Sequence, residues 1–208
     1  PTFSNTNSVI PSTYSLSFNK NSYLTAPHTL FNNMTTGSVS VWVYMNSSPS
    51  TLGSTAGYFI TGKYSPTNLC GVLSIGNYIT TTGGINPTGN TNVYWHCQNI
   101  STTPIAASKT YLAVNKWNLI TITFNTTQCC IYINGVLDST TAGNYTIPSI
   151  TASTTTYIGA LFTGAGNTNQ VGSFIDGNIS DFRVYNTVLS QSDICLLYTS
   201  DAADDLLC

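Results

Sequence analysis

Hydrophobic and polar positions alternate in short runs along most of this chain. In "SVSVWVYM", Val39, Val41, Val43 and Met45 fall on one side, and Ser40, Trp42 and Tyr44 on the other. Successive strand side chains point to opposite faces. Both sides here carry bulk, so the run predicts a central strand covered on both faces. In "LITITF", Ile120, Ile122 and Phe124 point one way while Thr121 and Thr123 point the other, as in an antiparallel strand with one buried face. In "CCIYING", Cys129, Ile131 and Ile133 align, with Cys130, Tyr132 and Asn134 opposite. "YSLSF", "GYFITGKY", "CGVLSIG", "VYWHCQN", "TTYIGALF" and "ISDFRVY" are rich in β-branched and aromatic residues and read as further strands.

Turn-rich stretches such as "NSSPSTLGS" and "TTGGINPTGNTN" separate these runs. Asn134–Gly135 predicts a tight hairpin, since both residues tolerate positive φ. No helical pattern of ten residues occurs. One short helical turn is predicted at "LSQSDI", where Ser190 can cap and Asp193 follows three residues later. Residues 1–13 are polar and aperiodic and read as a lead-in or linker. Many short strands between regular turns predict an all-β sandwich, barrel or jelly roll.

Composition sharpens this picture. Charged residues are 6% of the 208, against roughly 25% in ordinary globular proteins. The chain has 24 Ser, 34 Thr and 22 Asn instead. Such a neutral, hydroxyl- and amide-rich surface favours an extracellular or a virion- or cell-surface location. Lys20, Lys63, Lys109, Lys116 and Arg183 are scattered, so no nucleic-acid partner is expected, as phosphate binding needs clustered cations. No apolar run approaches a membrane span. The chain starts without Met and shows no signal peptide, so it is expected to be a fragment of a larger protein with other domains.

The order of the pieces resembles a known family. "SLSFNKNSYLTAP", "SVSVWVYMN", "FITGKYS", "NKWNLITITFN", "CIYINGVLD", "YIGA" and "IDGNISDFRVYNTVLSQSDI" resemble the successive signatures of the laminin-G-like, concanavalin A-like jelly rolls. The resemblance covers residues 14–194 and implies a two-sheet antiparallel jelly-roll sandwich. The superfamily includes lectins, pentraxins, adhesion modules and glucanases, so the fold alone does not select a function. Many relatives bind Ca²⁺ near the rim. Asp176 and Asn178 in "DGN" are the candidate Ca²⁺ ligands by their oxygen chemistry, although the low acid density favours a turn role. Trp117 is expected to plug one end of the core beside the Ile120, Ile122 and Phe124 face. Asp181 and Arg183 share a strand side and read as a structural ion pair or turn anchor.

Catalysis is not expected. Glucanases of this superfamily need paired carboxylates, yet the chain has no glutamate. Before residue 195 its acids are Asp138, Asp176, Asp181 and Asp193, none at strand-pair spacing. No G-x-S-x-G elbow occurs. His96 and Cys97 are strand neighbours pointing apart, and His28 lies in a loop without a ligand companion. "GAGNTNQVG" precedes a strand rather than a helix, against a phosphate cradle. The leading expectation is a recognition or adhesion module for a glycan or glycoprotein. Its candidate rim groups are Tyr94, Trp95, His96 and Asn99, with Tyr58 and Tyr64. The competing reading packs these aromatics inside the sandwich. The alternative functions are a structural spacer of a viral or microbial surface protein and, behind it, a glycosidase-derived domain.

Four cysteines precede residue 195: Cys70, Cys97, Cys129 and Cys130. They allow three connectivities, Cys70–Cys97 among the pairs, while Cys129 is expected to pack as a small apolar residue. Six N-x-S/T sequons match chance for this composition and carry no argument. The terminal stretch "CLLYTSDAAD" resembles the translation of a transposon-type sequencing adapter, a kind of scar to be kept out of fold reasoning. Residues 195–208 are therefore expected to be non-native and poorly packed or merely helical, with native sequence ending at Asp193 or Ile194. Without them the charge moves from −2 to +1, five basic against four acidic residues.

Overall fold

A computed structural model of the chain describes residues 2–4, 15–27, 29–49, 57–64, 68–79, 85–87, 90–99, 105–148, 155–162 and 171–199. Its strands are β1 (Thr2–Ser4), β2 (Ser15–Asn19), β3 (Leu24–Ala26), β4 (Gly37–Met45), β5 (Tyr58–Tyr64), β6 (Asn68–Ile75), β7 (Asn77–Ile79), β8 (Ile85–Pro87) and β9 (Val93–Asn99). They continue with β10 (Ala106–Ala107), β11 (Trp117–Phe124), β12 (Gln128–Ile133), β13 (Val136–Ala142), β14 (Thr156–Ile158), β15 (Leu161–Phe162), β16 (Val171–Gly172) and β17 (Asp176–Tyr185). One helix, α1 (Gln191–Thr199), follows. A seven-stranded sheet runs β1-β2-β17-β4-β11-β12-β13, and a six-stranded sheet runs β10-β9-β6-β5-β14-β3. The two form an antiparallel jelly-roll sandwich. β7–β8 and β15–β16 are small ribbons.

The core lies between the sheets. β4 contributes Val39, Val41, Val43 and Met45, β11 contributes Ile120, Ile122 and Phe124, and β12 contributes Cys129, Ile131 and Ile133. The facing sheet supplies Tyr58 and Ile60, Leu73 and Ile75, and Val93, Trp95 and Cys97. The alternation read from the sequence holds in β4, β11 and β12. Thr121 and Thr123 are also buried, however, so β11 is covered on both faces. Small hydroxyls tolerate this because Thr121 reaches Ser40 Oγ, and Ser38 Oγ donates to Thr187 O and accepts from Leu189 N.

The hairpin after β12 forms as expected, with Asn134 at φ 52° and Gly135 at φ 80°. Asn134 Oδ1 accepts from Leu119 N at 2.8 Å, tying the turn back to β11. Ser190 and Asp193 form the expected reciprocal cap: Asp193 N donates to Ser190 Oγ at 3.2 Å and Ser190 N donates to Asp193 Oδ2 at 2.9 Å. The helix they start runs nine residues rather than one turn. Replacing Ser190 by alanine should lower stability by about 1 kcal/mol in a urea titration.

Three expectations need correction, and one open alternative closes. Trp117 does not plug the core; two-residue periodicity places it with Leu119 on the outer face, beside Trp42. Its ring meets Tyr44 edge-on at 5.6 Å. Cys97 is outside any disulfide and its Sγ donates to Tyr145 O at 2.8 Å, which closes the Cys70–Cys97 alternative. Thr2–Ser4 is no linker but pairs with Ser15–Ser17. Finally, the stretch after Ile194 is helical to Thr199, as one alternative had it, but it is not merely helical: Leu197 and Tyr198 pack on Trp42 and Leu119. The Tyr198 and Trp42 rings stack at 5.7 Å. Residues 200–208 lie outside the described residues.

Candidate functional site

Among the described residues the expected aromatic rim does not assemble. On β9, Trp95 points into the core with no exposure, between Phe31 and Phe124. The Tyr58 ring is equally buried. Tyr94 and His96 point to the outer face of the six-stranded sheet, opposite Ser74 and Val72 of β6, yet are only 8% and 5% exposed. Burial pushes the His96 imidazole down to about 4, so it is neutral at pH 7. The side chains of Tyr64 and Asn99, and His28, lie outside the described residues.

What the fold does assemble is a polar node around Asp176. Lys20 Nζ lies 2.9 Å from Asp176 Oδ2. Ser47 Oγ donates to the same oxygen at 2.9 Å, and Asn46 Nδ2 donates to Oδ1 at 3.1 Å. Ser47 Oγ also lies 3.0 Å from the Tyr58 hydroxyl, bringing two sequence-predicted residues, Asp176 and Tyr58, into one network. Partial burial acts to raise the Asp176 carboxyl, but hydrogen bonds from Lys20, Asn46 and Ser47 outweigh it and hold the group below its ordinary value. The same hydrogen bond raises Lys20. Burial raises the Tyr58 hydroxyl.

Lys20, Asn46 and Ser47 were not singled out in the sequence. Lys20 reaches the node because it sits at φ 66° in the β2–β3 turn, its N–H donating to Ile175 O at 3.2 Å. A divalent cation at Asp176 would have to displace this ammonium. Asn178 is buried within the β17 ladder, and among the described residues no three His, Cys, Asp or Glu side chains converge.

The remaining described carboxylates are also engaged. Asp138 accepts from the backbone N–H groups of Lys109 at 2.6 Å and Thr110 at 2.9 Å, beside a cavity of about 430 Å³ that Asn134 and Leu137 also line. Asp181 pairs with Arg183 Nε at 2.6 Å, the structural role expected of it. Its positive φ of 50° sits in an irregularity of register between Ser180 and Arg183. Asp193 caps α1.

Residues 18–195 match the family model of the concanavalin A-like lectin/glucanases superfamily. The chain belongs to that superfamily. Among solved structures, this lectin/glucanase relative is similar to domain 4 of an extracellular GH43 arabinanase from Geobacillus stearothermophilus, in complex with arabinotriose. The TM-score is 0.60 at 18% identity, over 94% of this chain and 80% of that one. It is also similar to the binding domain of botulinum neurotoxin DC in complex with SialylT, with TM-score 0.56 and 22% identity over 82% of this chain. The receptor binding domain of botulinum neurotoxin D gives 0.55 and 19% over 90%. The superfamily member described here spans 37% and 43% of those two toxin chains. The sequence matches no curated protein. No helix among the described residues is long and apolar enough to cross a membrane.

Proposed function

We propose that the chain is a non-catalytic recognition or adhesion module that binds carbohydrate or a surface glycoconjugate, as one part of a larger extracellular or virion-surface protein. The observation that carries this reading is the use of the carboxylates. Each described aspartate is tied to a structural partner: Asp138 to two backbone N–H groups, Asp176 to Lys20, Asp181 to Arg183 and Asp193 to the helix cap. A retaining glycosidase needs one free nucleophile and one acid about 5–5.5 Å apart. The chain has no glutamate, so among the described residues no free carboxylate is left for either role. The sugar complex of the arabinanase domain supports glycan binding on this fold.

A structural spacer is the competing reading, favoured by the burial of Tyr94, Trp95 and His96. A broad glycan array, run with Ca²⁺ and with chelator, separates the two. Binding to a subset of glycans is expected under both conditions, because Lys20 already neutralises Asp176, and no sugar should be released from polysaccharides. A blank array in both conditions would favour the spacer and overturn glycan recognition.

A further inference from the structure

We infer that the glycan is held by an aromatic platform at the β2–β3 turn, formed by Tyr23 with Phe174 and Tyr157 beside the Lys20–Asp176 pair, and that the platform takes a neutral sugar ring. This rests on the glycan-binding reading above.

Three segments distant in sequence bring the rings together. Tyr23 follows the turn that holds Lys20, Tyr157 lies on β14, and Phe174 precedes β17. Tyr23 meets Tyr157 edge-on, with centroids 5.3 Å apart and planes at 60°. Tyr23 and Phe174 are within 25° of parallel at 6.3 Å. At that separation near-parallel rings are offset, so neither face covers the other. Tyr23 is 39% exposed, and Tyr157 and Phe174 are half-buried. β3 is an edge strand of its sheet, so among the described residues no further strand closes over the platform from that side.

An exposed, rigid aromatic surface binds little without a partner. A sugar ring offers one apolar C–H face for stacking and a perimeter of hydroxyls that need donors and acceptors. The perimeter groups are present. Lys20 and Tyr23 stand three residues apart on one turn, and Phe174 and Asp176 two apart on one segment, so the chain ties the ion pair to the rings at two points. The Lys20 side chain is 49% exposed, and an ammonium has three donors, of which Asp176 engages one. Ser22 lies in the same turn, its hydroxyl bonded to Asn19 Oδ1. Lys20 and Asp176 cancel each other's charge, which favours a neutral ring over a carboxylate-bearing one. The Tyr157 hydroxyl, raised by burial, stays a donor at neutral pH.

Calorimetric titration of arabinotriose, cellotriose, maltotriose and sialyllactose into wild type, Tyr23→Ala, Phe174→Ala and Tyr111→Ala decides the matter, with circular dichroism confirming that each variant is folded. Wild type should bind at least one neutral trisaccharide. Tyr23→Ala should weaken it about tenfold, the scale of one aromatic contact, and Phe174→Ala similarly. Tyr111→Ala removes an exposed tyrosine on another loop and should leave affinity unchanged. Equal binding by wild type and Tyr23→Ala would place the site elsewhere and overturn the platform alone. Binding of sialyllactose but of no neutral sugar would overturn the ligand class. Failure of wild type to bind any of the four would overturn the platform together with the reading beneath it.

Discussion

Truncating Trp95 to alanine should destabilise the protein by about 3–5 kcal/mol, the range for removing a buried large aromatic. Domains of this kind have about 5–15 kcal/mol in total, so the midpoint of a urea titration should fall sharply, and the variant should unfold at a much lower temperature. The side chain has no exposure, meets Phe31 edge-on at 6.2 Å and lies against Phe124 at 5.6 Å and 28°. Those rings come from the two facing sheets and the segment between them, so the cavity cannot collapse by one local shift. Trp95→Phe should lose far less. It keeps most of the ring volume and removes an indole N–H that has no partner among the described residues, and an unsatisfied buried donor carries its own penalty. A Trp95 at a ligand-binding rim would behave in the opposite way, with lost binding and little lost stability.

Acidification should produce the second large effect. His96 is buried and uncharged, with its folded-state value pushed to about 4 against an ordinary 6.5. Between those values the unfolded chain binds a proton that the folded chain refuses. Stability is therefore fully present above about pH 6.5 and declines as pH falls toward about 4, by roughly 3 kcal/mol at 1.36 kcal/mol per pH unit. Asp176 and Asp193, both held low by hydrogen bonds, add their own losses at lower pH, as they are protonated. Urea titrations at stepped pH should show the ramp in wild type and its absence between about pH 6.5 and 4 in His96→Gln. An identical ramp in both proteins would show that another group takes up the proton.

The legible parts of this fold were those set by local chemistry. Period-two alternation placed Val39, Val41, Val43, Ile120, Ile122 and Ile131 in the core, Asn134–Gly135 set the hairpin, and Ser190 with Asp193 set the helix start. Trp117 was legible too, since it shares parity with Leu119 and not with Ile120; the aromatic bulk obscured the register. β9 was not. "VYWHC" carries large or polar groups on both sides, and nothing local tells that the outer face holding Tyr94 and His96 is also covered. The Asp176 node lies further still from sequence reasoning. Its acid was marked as a candidate, but its partners Lys20, Asn46, Ser47 and Tyr58 come from positions far away in the chain and meet only after the sheets have paired. The Tyr23 platform has the same long-range origin.

Helix α1 is more than a terminal ornament of the sandwich. It covers Trp42 and Leu119 in the middle of the seven-stranded sheet, with Ile194 buried beneath it. If this one segment detaches while the sandwich stays intact, the centre of the seven-stranded sheet acquires a flat, sticky surface. A chain with only 6% charged residues has little electrostatic repulsion to keep two such surfaces apart. Colloidal behaviour is then governed not by the core but by how firmly nine residues stay seated.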